Sequence, residues 1–222
     1  MGQVLPGALI VARDVSVSSA GQVMLAPTSF ELARGQALAV TGENGSGKTT
    51  LLRALVGAIP ISDGSLLIAG APVDERRRSF RSAVAALVGL PPFARNLTLD
   101  EHMALVGASW GIDVRDAKNK SAATLSRFGI AELRHRFPHE LSSGQTQLFA
   151  LALTWMRPFD LLVLDEPEQR LDVDRLSMLG GILDETISTG VTLVLASHSR
   201  SLVDQVASHR LIVGDAADAD PV

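Results

Sequence analysis

The chain has 222 residues, 46% of them hydrophobic and 20% charged, with a formal net charge of −4. That length suits one sizeable domain, or a core with a modest insertion, able to bury about 70% of its unfolded surface without a disulfide or metal staple. The absence of cysteine excludes disulfides, thiolate metal sites and a cysteine nucleophile, and the acidic balance argues against a nucleic-acid partner.

In chain order, Met1–Asp14 has no basic residue ahead of its short apolar run and no small-residue cleavage site, so a signal peptide is not expected. Ala8–Val17 and Val23–Leu32 alternate or are β-branched around a Ser18–Gly21 turn, which predicts a hairpin. Ala37–Thr41 predicts a short buried strand running into a glycine-rich turn. Thr49–Gly57 then carries leucines at 51, 52 and 55, a helical stripe stopped by Gly57 and Pro60. Ser65–Ala69 and Val84–Val88 read as further strands around the arginine-rich Arg76–Arg81.

From Pro91 to Arg157 the periodicity becomes helical, over Leu99–Trp110, Val114–Phe128 and Ser143–Met156. Asn96 and Thr98 offer capping oxygens ahead of Asp100 and Glu101, acids placed where a helix N-terminus favours them. Alternation of strand and helix returns with Leu161–Asp165, a helix over Asp174–Thr189, the strand Val191–Ser197, a short helix at Leu202–Ala207 and a last strand at Arg210–Val213. The acidic tail Asp215–Val222 is expected to fray. The fold class is therefore α/β, with residues 1–90 and 158–222 as its core and 91–157 as an inserted helical subdomain. The longest apolar run, Leu148–Met156, falls far short of the roughly 18–20 residues that a bilayer-spanning helix needs. A cytosolic location is the expectation, with any membrane link made through a partner.

The strongest chemical signal is Gly42-Glu43-Asn44-Gly45-Ser46-Gly47-Lys48-Thr49, followed by Thr50, which fits G-x-x-x-x-G-K-[ST] between a predicted strand and a predicted helix. Such a loop turns backbone N–H groups inward as a nest for phosphate oxygens at the positive end of a helix. Lys48 adds a charge on the β- and γ-phosphates, and Thr49 a hydroxyl ligand for Mg²⁺. A second element, Leu161-Leu162-Val163-Leu164-Asp165-Glu166-Pro167, presents two carboxylates at the end of a buried strand, where ligands sit in open α/β sheets. Asp165 is placed to hold Mg²⁺ and Glu166 to polarise an attacking water. A third, Leu141-Ser142-Ser143-Gly144-Gln145, opens a helix and reads on its own as an N-cap.

Taken in order, the phosphate loop, LSSGQ, LLVLDEP and a strand ending at His198 resemble the nucleotide-binding subunit of ABC transporters. LSSGQ is similar to that family's LSGGQ signature, with Ser143 in place of one glycine. Glu168-Gln169-Arg170-Leu171-Asp172 is similar to its D-loop, and His198 stands where the family has its switch histidine. The resemblance covers essentially the whole chain and implies a P-loop NTPase core with an N-terminal antiparallel β-subdomain and an inserted α-helical subdomain. It implies ATP and Mg²⁺ as ligands and a head-to-tail homodimer or heterodimer, each ATP lying on one P-loop and capped by Ser142, Ser143, Gly144 and Gln145 of the other subunit, with Asp172 nearby. It further implies hydrolysis by Glu166, His198 and Lys48, and a separately encoded transmembrane permease as partner, at the inner face of the membrane.

Two family positions depart from pattern. The region of the adenine-stacking aromatic reads Val17-Ser-Ser-Ala-Gly-Gln, and the chain has no tyrosine at all. Where the Q-loop glutamine is expected stand Val88-Gly89-Leu90-Pro91-Pro92. Arg170, where a small residue is common, is a milder departure. These set a regulatory or degenerate half of a heterodimer against the leading expectation, an ATPase powering a permease, with export the expected direction. A soluble ATPase of this family acting on DNA or ribosomes fits poorly, because such proteins carry tandem cassettes or a long insertion. Other residues invite weaker readings. His135 and His139 are separated by a helix-breaking Pro138, Arg76–Arg78 with Arg81 read as a solvated face or a partner contact, and Trp110, Phe128 and Phe137 as subdomain core or partner groove.

Overall fold

In a computed structural model of the protein, residues 7–214 are described; the tail expected to fray, 215–222, lies outside them. The described residues divide into two compact units: one of residues 7–88, 159–166 and 183–214, the other of residues 89–158 and 167–182. Among the described residues no helix is long and apolar enough to cross a membrane.

The first unit contains two sheets. In the antiparallel one, β1 (Ala8–Ser19) and β2 (Gln22–Ala33) form a hairpin, and β4 (Asp63–Ile68) and β5 (Ala71–Pro72) complete the order β2-β1-β4-β5. Ala20 and Gly21, at φ 49° and 80°, make the two-residue turn whose twist suits a hairpin, so the strands run longer than the sequence pattern suggests. The second sheet is parallel, in the order β6-β7-β8-β3-β9, from β3 (Ala37–Thr41), β6 (Val84–Leu87), β7 (Leu161–Asp165), β8 (Thr192–Ala196) and β9 (His209–Ile212). Leu161 to Leu164 are all buried and β8 is buried throughout, the continuous apolar pattern of strands covered on both faces.

Helix α1 (Lys48–Leu55) follows β3. Its predicted stripe, Leu51, Leu52 and Leu55, has no solvent exposure and joins one core with Leu38, Val40, Val163 and Val194. Burial of each leucine contributes about 1.5–3 kcal/mol, so packing rather than capping holds this helix in place. It ends where the sequence indicates: Gly57 takes φ 76° and its N–H reaches back to the Ala54 carbonyl. The short α2 (Arg78–Ala83) was hidden in the arginine-rich segment, since it has no buried residue and hence no apolar stripe to read.

The second unit is helical: α3 (Leu99–Ser109), α4 (Val114–Arg127), α5 (Ser143–Trp155) and the first part of α6 (Val173–Ser188). Of the two offered capping oxygens, that of Thr98 is the N-cap of α3, in a reciprocal box with Glu101. The next N–H groups, of Leu99 and Asp100, donate to the Arg136 and Arg134 carbonyls, and Asp100 also holds the Arg134 guanidinium at 2.7 Å. Leu148 to Ala152 are all buried, so the longest apolar run belongs to a core helix that is covered all round. Phe128 packs edge-on against Trp155 at 5.2 Å within this core. Phe137 stacks on His139 at 5.6 Å, and the Arg157 guanidinium lies 4.5 Å over the Trp110 ring. The last helix, α7 (Arg200–Val206), returns to the first unit.

Candidate functional site

The glycine-rich loop joins β3 to α1. The N-cap of α1 is Gly47, which has no side chain to cap with, and no acidic residue lies in the first turn. The helix therefore presents an uncompensated positive end with free N–H groups, the arrangement that binds phosphate. Gly42 and Gly47 are required by space as well as by conformation. A Cβ on Gly42 would lie 2.3 Å from the Val213 carbonyl oxygen, and one on Gly47, at φ 107°, would lie 2.7 Å from that of Met24. Lys48 is buried, 7% exposed, and its Nζ donates to the Gly42 and Glu43 carbonyls at 2.9 and 2.8 Å. The loop is thus wrapped around its own lysine. Ser46 Oγ is buried without a hydrogen-bond partner inside the same loop.

Two strands away, β7 ends at Asp165. Thr49 Oγ1, in the first turn of α1, donates to Asp165 Oδ2 at 2.8 Å, while Asp165 Oδ1 is buried with no hydrogen-bond partner. Burial raises the carboxyl above the ordinary aspartate range; the Thr49 hydrogen bond opposes this, the Glu166 charge adds to it, and Arg53 and Lys48 pull it down. A hydroxyl and a carboxylate with an unsatisfied oxygen suit a hard cation such as Mg²⁺, which takes few protein ligands and completes its shell with water and phosphate oxygens. The described residues contain no cluster of three or more His, Asp or Glu that could hold a metal without such help.

Glu166 follows in the left-handed region at φ 46°, and its N–H is held by the Ala196 carbonyl at 2.8 Å. For a side chain with a Cβ this conformation costs about 1–3 kcal/mol, and it turns the carboxylate out of the strand line. His198, two residues past the end of β8, meets it with Nε2 at 3.2 Å from Glu166 Oε1. A hollow of about 410 Å³ is lined by Gln22, Val23, Met24, Asn44, Gly45, Gly47, Lys48, Thr49, Thr50 and Glu166. Lys48, Thr49, Thr50, Asp165, Glu166 and His198 therefore lie together, beside the hairpin end at Gln22–Met24, which adjoins the stretch Val17–Gln22 to which the resemblance assigns the adenine-stacking position. The larger, apolar hollow of about 560 Å³ near Ile59, Pro60 and Val73 shares no residue with this group.

In the helical unit, Ser142 is the N-cap of α5. Its hydroxyl accepts from the Gln145 N–H at 3.3 Å, and Gln145 Oε1 accepts from the Ser142 N–H at 2.9 Å. Ser143 is exposed and Gly144 buried. A Cβ on Gly144 would stand 2.6 Å from the Arg170 carbonyl oxygen and 3.1 Å from an Arg175 nitrogen, which makes glycine obligatory where the segment 168–172 crosses the helix start. Arg170 takes φ 65°, a left-handed conformation that favours glycine. Asp172 accepts from the Arg175 N–H at 2.9 Å at the start of α6. Gln147, which no motif singles out, is buried and donates to the Pro167 carbonyl at 3.1 Å, tying α5 to the chain just after Glu166.

A glycine loop that wraps a buried lysine, an uncapped helix start and a Thr–Asp pair at the end of a parallel sheet define a P-loop NTPase core, here with an N-terminal antiparallel β-subdomain and an inserted helical subdomain. The ABC transporter family profile matches residues 25–169. The chain is 31% identical over 210 residues to the cytochrome c biogenesis ATP-binding export protein CcmA of Xanthomonas campestris pv. campestris, covering 94% of this chain and 95% of that one. It is 29% identical to the energy-coupling factor transporter ATP-binding protein EcfA1 of Methanospirillum hungatei, over 93% of this chain and 76% of that one. A solved ATP-binding subunit of an ABC transporter shares the fold with a TM-score of 0.84 at 23% identity, covering 93% of this chain and 86% of that one. CbiO1 of Clostridium perfringens, part of the complex cbiONQ, does so with a TM-score of 0.79 at 22% identity, covering 94% and 86%.

The chain belongs to the ABC transporter family and is an ATP-binding subunit of it. As such it is an ATPase that works with a membrane permease, on a fold that binds ATP with Mg²⁺.

Proposed function

We propose that this subunit hydrolyses ATP at a dimer interface to power export through a separately encoded permease at the inner face of the membrane. The observation that carries the reading is the Glu166–His198 pair, 3.2 Å apart, beside the Thr49–Asp165 pair and the phosphate loop. In this reading the loop residues Gly42 to Thr50 bind the phosphates, Lys48 neutralises charge on the β- and γ-phosphates, and Thr49 and Asp165 hold Mg²⁺. Glu166 accepts the proton of the attacking water while His198 orients it and contacts the γ-phosphate. Ser142, Ser143, Gly144 and Gln145, with Asp172, cap the nucleotide held by a second subunit, identical or related. The γ-phosphate is the group that rewards closure, so its loss on hydrolysis reopens the dimer. The chain is read as one ATPase domain, with residues 1–90 and 158–222 as core and 91–157 as the signature-bearing subdomain. Export is supported by the Xanthomonas relative, an ATP-binding export protein, at 31% identity over nearly the full length of both chains.

A second reading, a nucleotide-binding half with little turnover, draws on the segment Gly89-Leu90-Pro91-Pro92, which offers no glutamine, and on the absence of an aromatic beside Gln22 and Met24. One experiment separates the two. Glu166→Gln, assayed for turnover and for dimer formation in ATP by size exclusion, should lose about a hundredfold or more in kcat and gain a stable ATP-bound dimer. Negligible turnover in the unaltered chain, with no change in the variant, would instead establish the low-turnover half.

A further inference from the structure

His102 lies on α3, 7% exposed, four residues after the N-cap Thr98. Its Nε2 stands 3.1 Å from the Ala94 backbone N–H, and its Nδ1 2.8 Å from the Thr98 carbonyl oxygen. A backbone N–H can only donate and a carbonyl can only accept. The partners therefore fit the tautomer in which Nδ1 donates to Thr98 and Nε2 accepts from Ala94. The same ring packs edge-on against Phe93 at 6.0 Å and against Phe149 at 5.6 Å, and Phe93 lies 5.2 Å from Phe149. Phe149 belongs to α5, the helix that Ser142–Gln145 open.

These contacts join three pieces of the helical unit. The segment after Gly89 is tied to α3 through Ala94 and to α5 through Phe93. The first turn of α3 is in turn tied to the Arg134 and Arg136 carbonyls, a few residues ahead of Leu141–Gln145. Gly89, where the helical unit begins, takes φ 77°, a backbone conformation that favours glycine. Pro91 and Pro92 stiffen the stretch just beyond it.

We propose that His102 is a positioning residue that clamps the segment Pro91–Leu97 to the signature helix and so fixes the geometry in which Ser142–Gln145 are held. The clamp shares no residue with the phosphate loop or the Thr49–Asp165 pair, so it governs how the signature is presented for turnover rather than how tightly the phosphate loop binds nucleotide. The proposal rests on the reading of Ser142–Gln145 as the cap on a second subunit's nucleotide.

The test compares His102→Leu, which fills the space without hydrogen bonds, with His102→Gln, whose amide can both donate to Thr98 and accept from Ala94, and with Phe93→Leu, which loosens the ring contact at a partly exposed position. ATPase kinetics of the full chain are read beside amide exchange at Ala94. In His102→Leu and Phe93→Leu, kcat should fall about threefold or more while KM for ATP stays within about twofold, the size expected for a coupling contact remote from the ligand. His102→Gln should restore kcat, and Ala94 exchange should be fast in His102→Leu only. Wild-type kcat in both leucine variants, a KM that rises as kcat falls, or a glutamine variant as impaired as the leucine one would overturn the proposal. Should His102→Leu not fold, Phe93→Leu and His102→Gln decide by the same kinetic criteria. Lys48→Ala serves as the control. If it hydrolyses ATP as fast as wild type, the nucleotide-site reading fails by itself, and Ala94 exchange still decides whether the clamp exists.

Discussion

Thr49 Oγ1 donates a 2.8 Å hydrogen bond to Asp165 Oδ2 across 116 positions of sequence. It joins the first turn of α1 to the end of β7 and leaves Asp165 Oδ1 buried and unsatisfied. A hydroxyl and a half-satisfied carboxylate in contact are the groups that would hold a hard cation such as Mg²⁺, and the hydrogen bond keeps them side by side.

The raised pKa of Asp165 gives this site a pH signature. Burial, then the Glu166 charge, disfavour the ionised carboxylate in the folded chain, against the Thr49 hydrogen bond and the Arg53 and Lys48 charges. Ionisation therefore weakens the nucleotide-free fold. Its stability at this residue should improve as pH falls through the raised folded value toward the ordinary aspartate range. Mg²⁺ favours the ionised form, so stabilisation by Mg-ATP should weaken over the same fall in pH. Asp165→Asn should match or exceed wild type in Tm without ligand and lose the Mg²⁺-dependent part of ATP protection. Thermal unfolding over a pH series with and without Mg-ATP checks this, and equal Mg²⁺ protection in wild type and Asp165→Asn would refute it.

Lys48 links two loop carbonyls through Nζ, so it shapes the loop as well as charging it. Lys48→Ala should lose nucleotide protection, which for wild type at a hundredfold excess over Kd is about 2.7 kcal/mol. The same Tm with and without ATP in the variant is the expected result; a wild-type upward shift would contradict the assignment.

Gly144 has no room for a methyl group, with the Arg170 carbonyl oxygen 2.6 Å from the position a Cβ would take. Gly144→Ala should cost about 1–3 kcal/mol, the usual penalty of overpacking against backbone. It should also displace the segment 168–172 from the signature helix and reduce turnover. Urea unfolding and steady-state ATPase assays measure the two effects.

Gln22 lines the hollow beside the phosphate loop, at a hairpin end that carries no aromatic ring. Gln22→Tyr supplies a ring for base stacking and should tighten ATP binding about fivefold or more, given ~1–3 kcal/mol per stacked base. A calorimetric titration that finds the same Kd would show that this hairpin end does not face the base.

Much of the protein was legible in its residues because the signals were local. The leucine stripe at 51, 52 and 55, the buried run Leu161–Leu164 and the glycine spacing from 42 to 47 each arise from short-range periodicity or backbone demand. Elements without an apolar face escaped, as α2 shows with no buried residue and β5 with only two residues. Gln147 and His102 were missed for a different reason. A polar residue on an apolar face carries no mark of whether its partner is water or a distant carbonyl.

The sequence by itself determined the class of protein, the order of its motifs and the residue types available for phosphate, metal and proton chemistry. Only the tertiary structure decided which of them meet. It set Thr49 on Asp165 and His198 on Glu166, put the hairpin end at Gln22–Met24 beside the phosphate loop, and drew Phe93, His102 and Phe149 into one cluster. Strand order is the reason for the first two: β8 lies between β3 and β7, so residues distant along the chain come together at the strand ends. That order is set by packing across the sheet, which no window along the chain contains.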